Sequence, residues 1–98
     1  MQKIPLSTIP NQRLRATLNG NDWELTIKVA RQMMCCDIKR NDSMLIQGIR
    51  VMPNQPLIPY RYLSGIGNFA FITDSEELPW WELFGKTQYL VWRSSDDD

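Results

Sequence analysis

Hydrophobic and polar residues alternate along residues 23–30, so that every second side chain is a large apolar one. Successive side chains of a β-strand point to opposite faces, and this period of two is typical of a strand with one buried face. Residues 13–18 alternate in a similar way, and the Asn19-Gly20 pair lies between the two segments. Asn-Gly tolerates the positive φ angles of a tight turn, so we predict a β-hairpin here.

Two more strands are expected to follow this hairpin. A third strand is predicted at residues 33–39 and a fourth at residues 44–51, separated by a polar turn at residues 40–43. Residues 13–51 are therefore predicted to form a meander of four antiparallel strands. Gly48 lies inside the fourth strand, where a glycine favours a β-bulge or the close approach of another backbone segment.

Proline interrupts the pattern in the middle of the chain. Pro53, Pro56 and Pro59 each lack an N–H group and have a fixed φ, so we predict an extended loop across the surface. The downstream elements are a strand at residues 68–73, an acidic turn at 74–77, one or two helical turns at 79–85 and a strand at 87–92. The predicted fold class is mainly β, a small antiparallel sandwich or barrel of about six strands with one short helix near the C-terminus.

The chain of 98 residues is long enough for one domain with one core. We predict a single β-rich domain over residues 1–94 with an extended N-terminal segment, followed by an acidic, disordered tail at residues 95–98. No apolar run approaches the roughly 20 residues of a membrane helix, and the N-terminus lacks the apolar stretch of a secretory signal. We therefore expect the protein to be cytoplasmic when it is synthesised.

Catalytic signals are nearly absent from the sequence. The sequence has no histidine, which excludes a Ser-His or Cys-His pair and an imidazole metal site. Cys35 and Cys36 are adjacent and point to opposite faces of the predicted strand, so we expect two reduced thiols, at least one of them buried. The acidic residues that could act in pairs cluster in the turn before the helix, where solvated carboxylates are expected. We predict no enzyme activity, no cofactor and no metal.

Aromatic residues are concentrated near the C-terminus, where nine of the ten lie between residues 60 and 92. Two adjacent indoles on one helical turn cannot face the same way, so at least one of Trp80 and Trp81 is expected to reach outward and anchor a partner. The predicted partner interface consists of Trp80, Trp81, Tyr60, Tyr62 and Pro59. Core packing is expected for three other aromatic residues, Trp23, Phe69 and Phe71, and for the aliphatic Leu90.

An alternative function is considered because arginines are spread over the first four predicted strands. Small barrels related to the oligonucleotide-binding fold bind single-stranded nucleic acid by stacking bases on aromatics beside a basic groove. In this chain the arginines and most of the aromatics lie on different strands, and the net charge is zero. We therefore expect no direct binding of nucleic acid and keep this module as the alternative. The arginines concerned are Arg13, Arg15, Arg31, Arg40 and Arg50.

Several short motifs, taken in order, resemble the baseplate plug family of contractile-tailed phages. The resemblance covers roughly residues 1–92. The motifs are Ile4-Pro5-Leu6, Pro10-Asn11-Gln12, Asn19-Gly20, Leu57-Ile58-Pro59-Tyr60-Arg61-Tyr62, Gly67-Asn68-Phe69, and residues 79–85 running into Tyr89-Leu90. Trp81, Trp92 and the terminal aspartates do not match features of the family.

This resemblance implies a structural role in the virion, with no enzyme activity and no cofactor. A member of the family is expected to be a stopper near the tail axis, among the hub, spike and tail-tube proteins of the baseplate. It also implies assembly in the cytoplasm of the bacterial host, no contact with a membrane, and a possible homo-oligomer with symmetry about the tail axis.

Overall fold

The computed structural model describes residues 2–58 and 67–94, which form two antiparallel β-sheets packed on one another. Seven strands are found in this part of the chain, and two short 3-10 helices precede the last strand. The mainly β class is confirmed, and β1 adds a seventh strand to the predicted six. The strands are β1 (Gln2–Ile4), β2 (Gln12–Leu18), β3 (Asn21–Ala30), β4 (Met33–Arg40), β5 (Ser43–Arg50), β6 (Gly67–Ile72) and β7 (Tyr89–Ser94); the 3-10 helices are Asp74–Glu76 and Trp81–Leu83.

Strands β2, β3, β4 and β5 form one sheet in that order, which confirms the predicted meander. All three hairpins have two-residue turns in which both residues have positive φ, as type I′ turns require. Asn19 and Gly20 have φ angles of 50° and 78°, as the sequence signal predicted. Arg31 and Gln32 adopt φ angles of 50° and 64° without any such signal, so the turn between β3 and β4 is conformationally strained.

The β4–β5 pair contains the irregularity predicted at Gly48. Cys36 pairs with Ile49 and Ile38 with Ile46, so one extra residue of β5 lies opposite Asp37. Gly48 has a φ of 66°, and its N–H donates a 2.6 Å hydrogen bond to Oδ1 of Asp37. The Asp37 carboxylate therefore satisfies a donor that the bulge removes from the ladder.

The second sheet has the order β1–β7–β6, so the predicted extended N-terminal segment is an edge strand. The proline segment after β5 differs from the surface loop that we predicted. Asn54 N–H donates to Phe71 O and Leu57 N–H donates to Phe69 O, so this segment runs along the free edge of β6. Leu57 and Ile58 are almost completely buried, which explains why the segment is held against the sheet.

Three aromatic rings join the two sheets at the centre of the core. The ring of Trp23 on β3 lies 5.3 Å from that of Phe69 and 5.0 Å from that of Trp92. All three side chains are at least 96% buried, and Phe71 and Leu90 are also buried, as expected. Facing sheets that bury such rings make a sandwich, and the sheets do not close into a barrel.

Cys36 is buried and Cys35 is half-buried, and both are free thiols, as predicted. Within residues 2–58 and 67–94, no helix has the length and apolar character needed to cross a bilayer. The acidic tail at residues 95–98 lies outside the described residues, so the proposed domain boundary stays a prediction.

Candidate docking surface

Trp80 and Trp81 lie in the connection between β6 and β7, at residues 78–88, which we call the tryptophan loop. The predicted helical turns at residues 79–85 are reduced to one 3-10 turn, in which Phe84 N–H donates to Trp81 O at 3.2 Å. Gly85 ends the turn with a φ of 77°, a conformation that glycine adopts without strain. Proline before this turn and glycine after it are the signals that the sequence supplied.

The buried side chain of Gln88 holds this loop from the inside. Its Oε1 accepts a 2.7 Å hydrogen bond from Trp80 N–H, and its Nε2 donates a 3.0 Å bond to Leu78 O. The side chain has no exposed surface. One buried amide thus satisfies a donor and an acceptor of the loop backbone, which fixes the path of the chain before the indoles.

Phe84 provides the second anchor of the loop. Its side chain is completely buried, and its ring centroid lies 5.4 Å from that of Phe71 on β6. The carbonyl of Phe84 accepts a 3.0 Å hydrogen bond from Oγ1 of Thr8, which ties the loop to the connection between β1 and β2. The loop is therefore fixed to the core at Phe84 and Gln88, and the two indoles lie on a preorganised support.

The two indoles are both half-buried, so neither ring lies fully in the core. Their ring centroids are 6.3 Å apart at an angle of 43°, and both rings pack against the edge of the core. Trp80 Nε1 donates a 3.0 Å hydrogen bond to Oε1 of Glu82 at the surface. Trp80 is the extended N-cap residue, with φ −145° and ψ 135°, and Trp81 is the first residue of the 3-10 turn. The two side chains are therefore not related by helical geometry, and each keeps part of its surface exposed.

The apolar surface continues from the tryptophans to neighbouring residues. Leu78 is 51% exposed, the largest fraction among the exposed large hydrophobic residues of the described chain. Leu78, Trp80, Met33 and Gln32 line a depression of about 90 Å³. Gln32 is one of the two strained residues of the β3–β4 turn, and backbone strain of this kind is concentrated at functional sites.

Three of the residues predicted for the interface, Pro59, Tyr60 and Tyr62, lie outside the described residues. The sequence did not point to Gln88 or Leu78. A glutamine next to a strand gives no sign that it is buried, and Leu78 follows an acidic turn like any residue that leads into a core element. The structure thus adds an internal clamp and an apolar neighbour to the predicted pair Trp80 and Trp81.

Of the arginines considered, Arg50 lines the same small depression as Trp80, whereas Arg13, Arg15 and Arg40 make other contacts. Arg13 and Arg15 contact the same carboxylate, that of Glu24, at 3.3 Å and 2.9 Å. The guanidinium of Arg40 lies 5.6 Å from the ring of Trp23, which is only 1% exposed and therefore cannot stack on a base. The two-sheet sandwich also differs from the barrel of an oligonucleotide-binding fold.

The half-buried indoles of Trp80 and Trp81 have acidic neighbours. Glu82 contacts Trp80 directly, and Glu76 and Glu77 precede Leu78 in the chain. These carboxylates repel phosphate, and Arg50 in the depression beside Trp80 attracts it, so the charge around this surface is mixed.

The sequence was compared with known protein families and with curated proteins. Residues 1–95 match the family described as cyanophage baseplate Pam3 plug gp18. The match includes every strand, the tryptophan loop and the proline segment. No curated protein matches the chain.

Proposed function

The chain belongs to the cyanophage baseplate Pam3 plug gp18 family, and from this premise we propose that it is a stopper near the tail axis. In this role it docks onto its neighbours through the tryptophan loop. The family is a structural one, so the protein is a non-enzymatic component of the virion baseplate and associates with other baseplate proteins. The hub, spike and tail-tube proteins are the partners that we propose for it.

The observation that carries this proposal is the rigid support beneath two half-buried indoles. An aromatic anchor binds tightly when little conformational entropy is lost on docking, and Gln88 and Phe84 already fix the loop in the free chain. Trp80 and Trp81 present apolar surface, and Leu78 extends it. Tryptophan at the centre of such a patch is the residue type that most often dominates the binding energy of an interface.

Single substitutions of the tryptophans test the proposal. Trp80→Ala and Trp81→Ala are made separately, and each purified variant is measured for thermal stability and for incorporation into tail particles. We expect at least one variant to stay folded, because each ring is only half-buried, and to be incorporated at least tenfold less well. A truncated anchor tryptophan costs about 2 kcal/mol or more, which corresponds to a change of that size or larger.

Met44→Ala is the matched control, because Met44 is 45% exposed at the end of β5 next to the β4–β5 turn and does not line the depression beside Trp80. This variant should be incorporated normally. If both tryptophan variants fold and are incorporated as well as Met44→Ala, the docking surface lies elsewhere. If both variants unfold, Trp80 and Trp81 are core residues and the proposed surface is wrong.

The tyrosines of the predicted interface, Tyr60 and Tyr62, and the preceding Pro59 remain part of the proposal. Tyrosine, like tryptophan, supplies a large contact area with a polar group at its tip and is common at interface centres. Phage tails have rotational symmetry, so self-association of this chain would be expected about the tail axis.

A further inference from the structure

The outer edge of β2 differs from the other sheet edges. β2 pairs with β3 over seven consecutive residues, from Gln12↔Ile27 to Leu18↔Asn21, without a register shift. Within the described residues no further strand pairs with β2, so the other side of this strand is an edge. A long, regular edge of this kind is a template for the addition of another strand.

The remaining three edges are each protected. β1 has only three residues and is followed by Pro5. β5 is bulged at Gly48, which bends an edge away from a flat ladder. The edge of β6 is covered by the segment of residues 53–58 through the hydrogen bonds to Phe69 and Phe71. These are devices by which sheet proteins avoid unwanted pairing. β2 has neither proline, glycine nor a bulge, and its protection is the charge of Arg13 and Arg15, which an acidic strand would neutralise.

The backbone groups available at this edge follow from the hairpin. Leu18 and Asn21 flank a two-residue turn and are therefore a hydrogen-bonded pair, and such pairs alternate along an antiparallel ladder. It follows that Arg13, Arg15 and Thr17 direct their N–H and C=O groups away from β3. The edge therefore offers three donors and three acceptors to an incoming strand.

The side chains along the edge define the chemistry of that strand. On the outer face the side chains of Arg13 and Arg15 are 68% and 75% exposed and share the single carboxylate of Glu24, which leaves one positive charge in excess. On the inner face Leu14 and Ala16 pack against the core. Both stay half-buried, so part of their apolar surface is exposed at the edge of the sheet.

We propose that β2 binds an extended segment of another baseplate protein as an additional strand, with acidic residues on the outer face and apolar residues on the inner face. Acidic side chains beside Arg13 and Arg15 form favourable cross-strand pairs, and apolar ones cover Leu14 and Ala16. The choice of a baseplate protein as donor rests on the proposed function; the edge and its chemistry do not.

A second copy of the chain is a poor occupant of this edge. Antiparallel pairing of two β2 strands about a two-fold axis keeps outer positions opposite outer positions. That arrangement brings Arg13 and Arg15 of one copy opposite the arginines of the other. Like charges directly opposite one another destabilise a sheet, whereas opposite charges stabilise it.

The test compares Arg15→Pro with Arg15→Ala in the full chain. Proline removes the outward N–H of the central residue and is tolerated on an edge strand, whereas alanine removes only the charge. We expect both variants to fold, Arg15→Pro to lower incorporation into tail particles at least tenfold, and Arg15→Ala to lower it by a smaller factor. Normal incorporation of a folded Arg15→Pro variant would overturn the inference, and a loss with Trp80→Ala or Trp81→Ala in the same assay would leave the proposed function standing.

Hydrogen exchange of the unmodified chain provides a second measurement that does not depend on the folding of Arg15→Pro. The amides of Arg13, Arg15 and Thr17 should exchange at least tenfold more slowly in assembled tails than in the free protein. Equal exchange rates in the two states contradict the proposal. A dimer of the isolated chain that Arg15→Pro dissociates would assign the edge to a second copy and would overturn the acidic-strand proposal.

Discussion

The side-chain oxygen of Gln88 accepts a hydrogen bond of 2.7 Å from the backbone N–H of Trp80, eight residues earlier in the chain. Both ends of the Gln88 amide are used, since its nitrogen donates to Leu78 O, and the side chain is completely buried. The backbone at Leu78 and Trp80 in the candidate docking surface is therefore held by one side chain that does not itself reach the surface.

Replacement of Gln88 by methionine tests this clamp. Methionine has a similar volume, so the core is kept, but Trp80 N–H and Leu78 O both lose their partner. Leaving buried polar groups unsatisfied costs about 1–3 kcal/mol each, so we expect a loss of roughly 2–4 kcal/mol in the free energy of unfolding. Urea denaturation measures it, and Gln47→Met on the exposed surface of β5 is the control with little expected effect.

The sequence predicted the elements whose conformation is determined by residues close together in the chain. The alternation along β3 can place its apolar side chains on one face only, and the Asn19-Gly20 pair fits a type I′ turn that other residues enter with strain. The turn at Arg31 and Gln32 was not predictable in this way, because its conformation is imposed by the pairing of β3 with β4 over eight residue pairs.

The parts that sequence reasoning missed depend on contacts between distant residues. β1 is three residues long, and only its pairing with β7, nearly ninety residues away, makes it a strand. Leu57 and Ile58 follow two prolines that indicate a surface loop, yet the free edge of β6 binds the segment. For the docking surface, Trp80 and Trp81 could be named from their adjacency, whereas the role of Gln88 required the fold.

The β3–β4 turn can be relieved of its strain. The double variant Arg31→Asn, Gln32→Gly reproduces the residues of the first hairpin, and both native residues have positive φ. A non-glycine residue in this region costs about 1–2 kcal/mol, partly offset by the greater freedom of glycine in the unfolded chain. We expect a net stabilisation of about 1 kcal/mol, or roughly 4–8 °C in the melting temperature measured by circular dichroism.

The first hairpin supplies the matched control for this turn. Gly20 has a φ of 78°, and a Cβ atom added there would meet nothing within 4 Å. Gly20→Gln should therefore destabilise the protein by about 1 kcal/mol through backbone strain alone. A stabilised Gly20→Gln variant, or an Arg31→Asn, Gln32→Gly variant without gain, would show that the φ angles do not control the stability of these turns.

The Asp37 carboxylate links the β-bulge to the pH dependence of folding. Partial burial raises the pKa of Asp37, but the hydrogen bond from Gly48 N–H and the ammonium of Lys28 at 3.0 Å outweigh it, so the pKa lies below the ordinary value of an aspartate. A lowered pKa in the folded state means that the ionised form stabilises the fold above pH 4 or so and that this contribution is lost as the pH falls further.

Asp37→Asn removes this charge while keeping an oxygen that can accept from Gly48. We expect the variant to be less stable than the unmodified protein by about 1 kcal/mol at pH 7, the value of one hydrogen bond to a charged group less its neutral counterpart. The difference should shrink as the pH is lowered from about 5 to 3. Melting temperatures of both proteins over this range measure it, and a constant difference would show that the carboxylate charge is not responsible.

The two adjacent cysteines are expected to differ strongly in reactivity. Burial, followed by the nearby carboxylate of Asp37, raises the pKa of Cys36 to about 12, and its side chain has no exposed surface. The thiolate is the reactive form, so Cys36 should not react with an alkylating reagent at pH 8, whereas the half-buried Cys35 is open to it. Mass spectrometry should find one adduct per folded chain. Cys35→Ser should abolish the adduct and Cys36→Ser should keep it; two adducts on the folded protein would mean that β4 opens readily.

The raised pKa of Cys36 also predicts how stability changes at alkaline pH. The pKa of this thiol is higher in the folded protein than in the unfolded chain, so the unfolded chain loses its proton first as the pH rises. The free energy of unfolding should therefore decline above about pH 9 in the unmodified protein and decline less in Cys36→Ser.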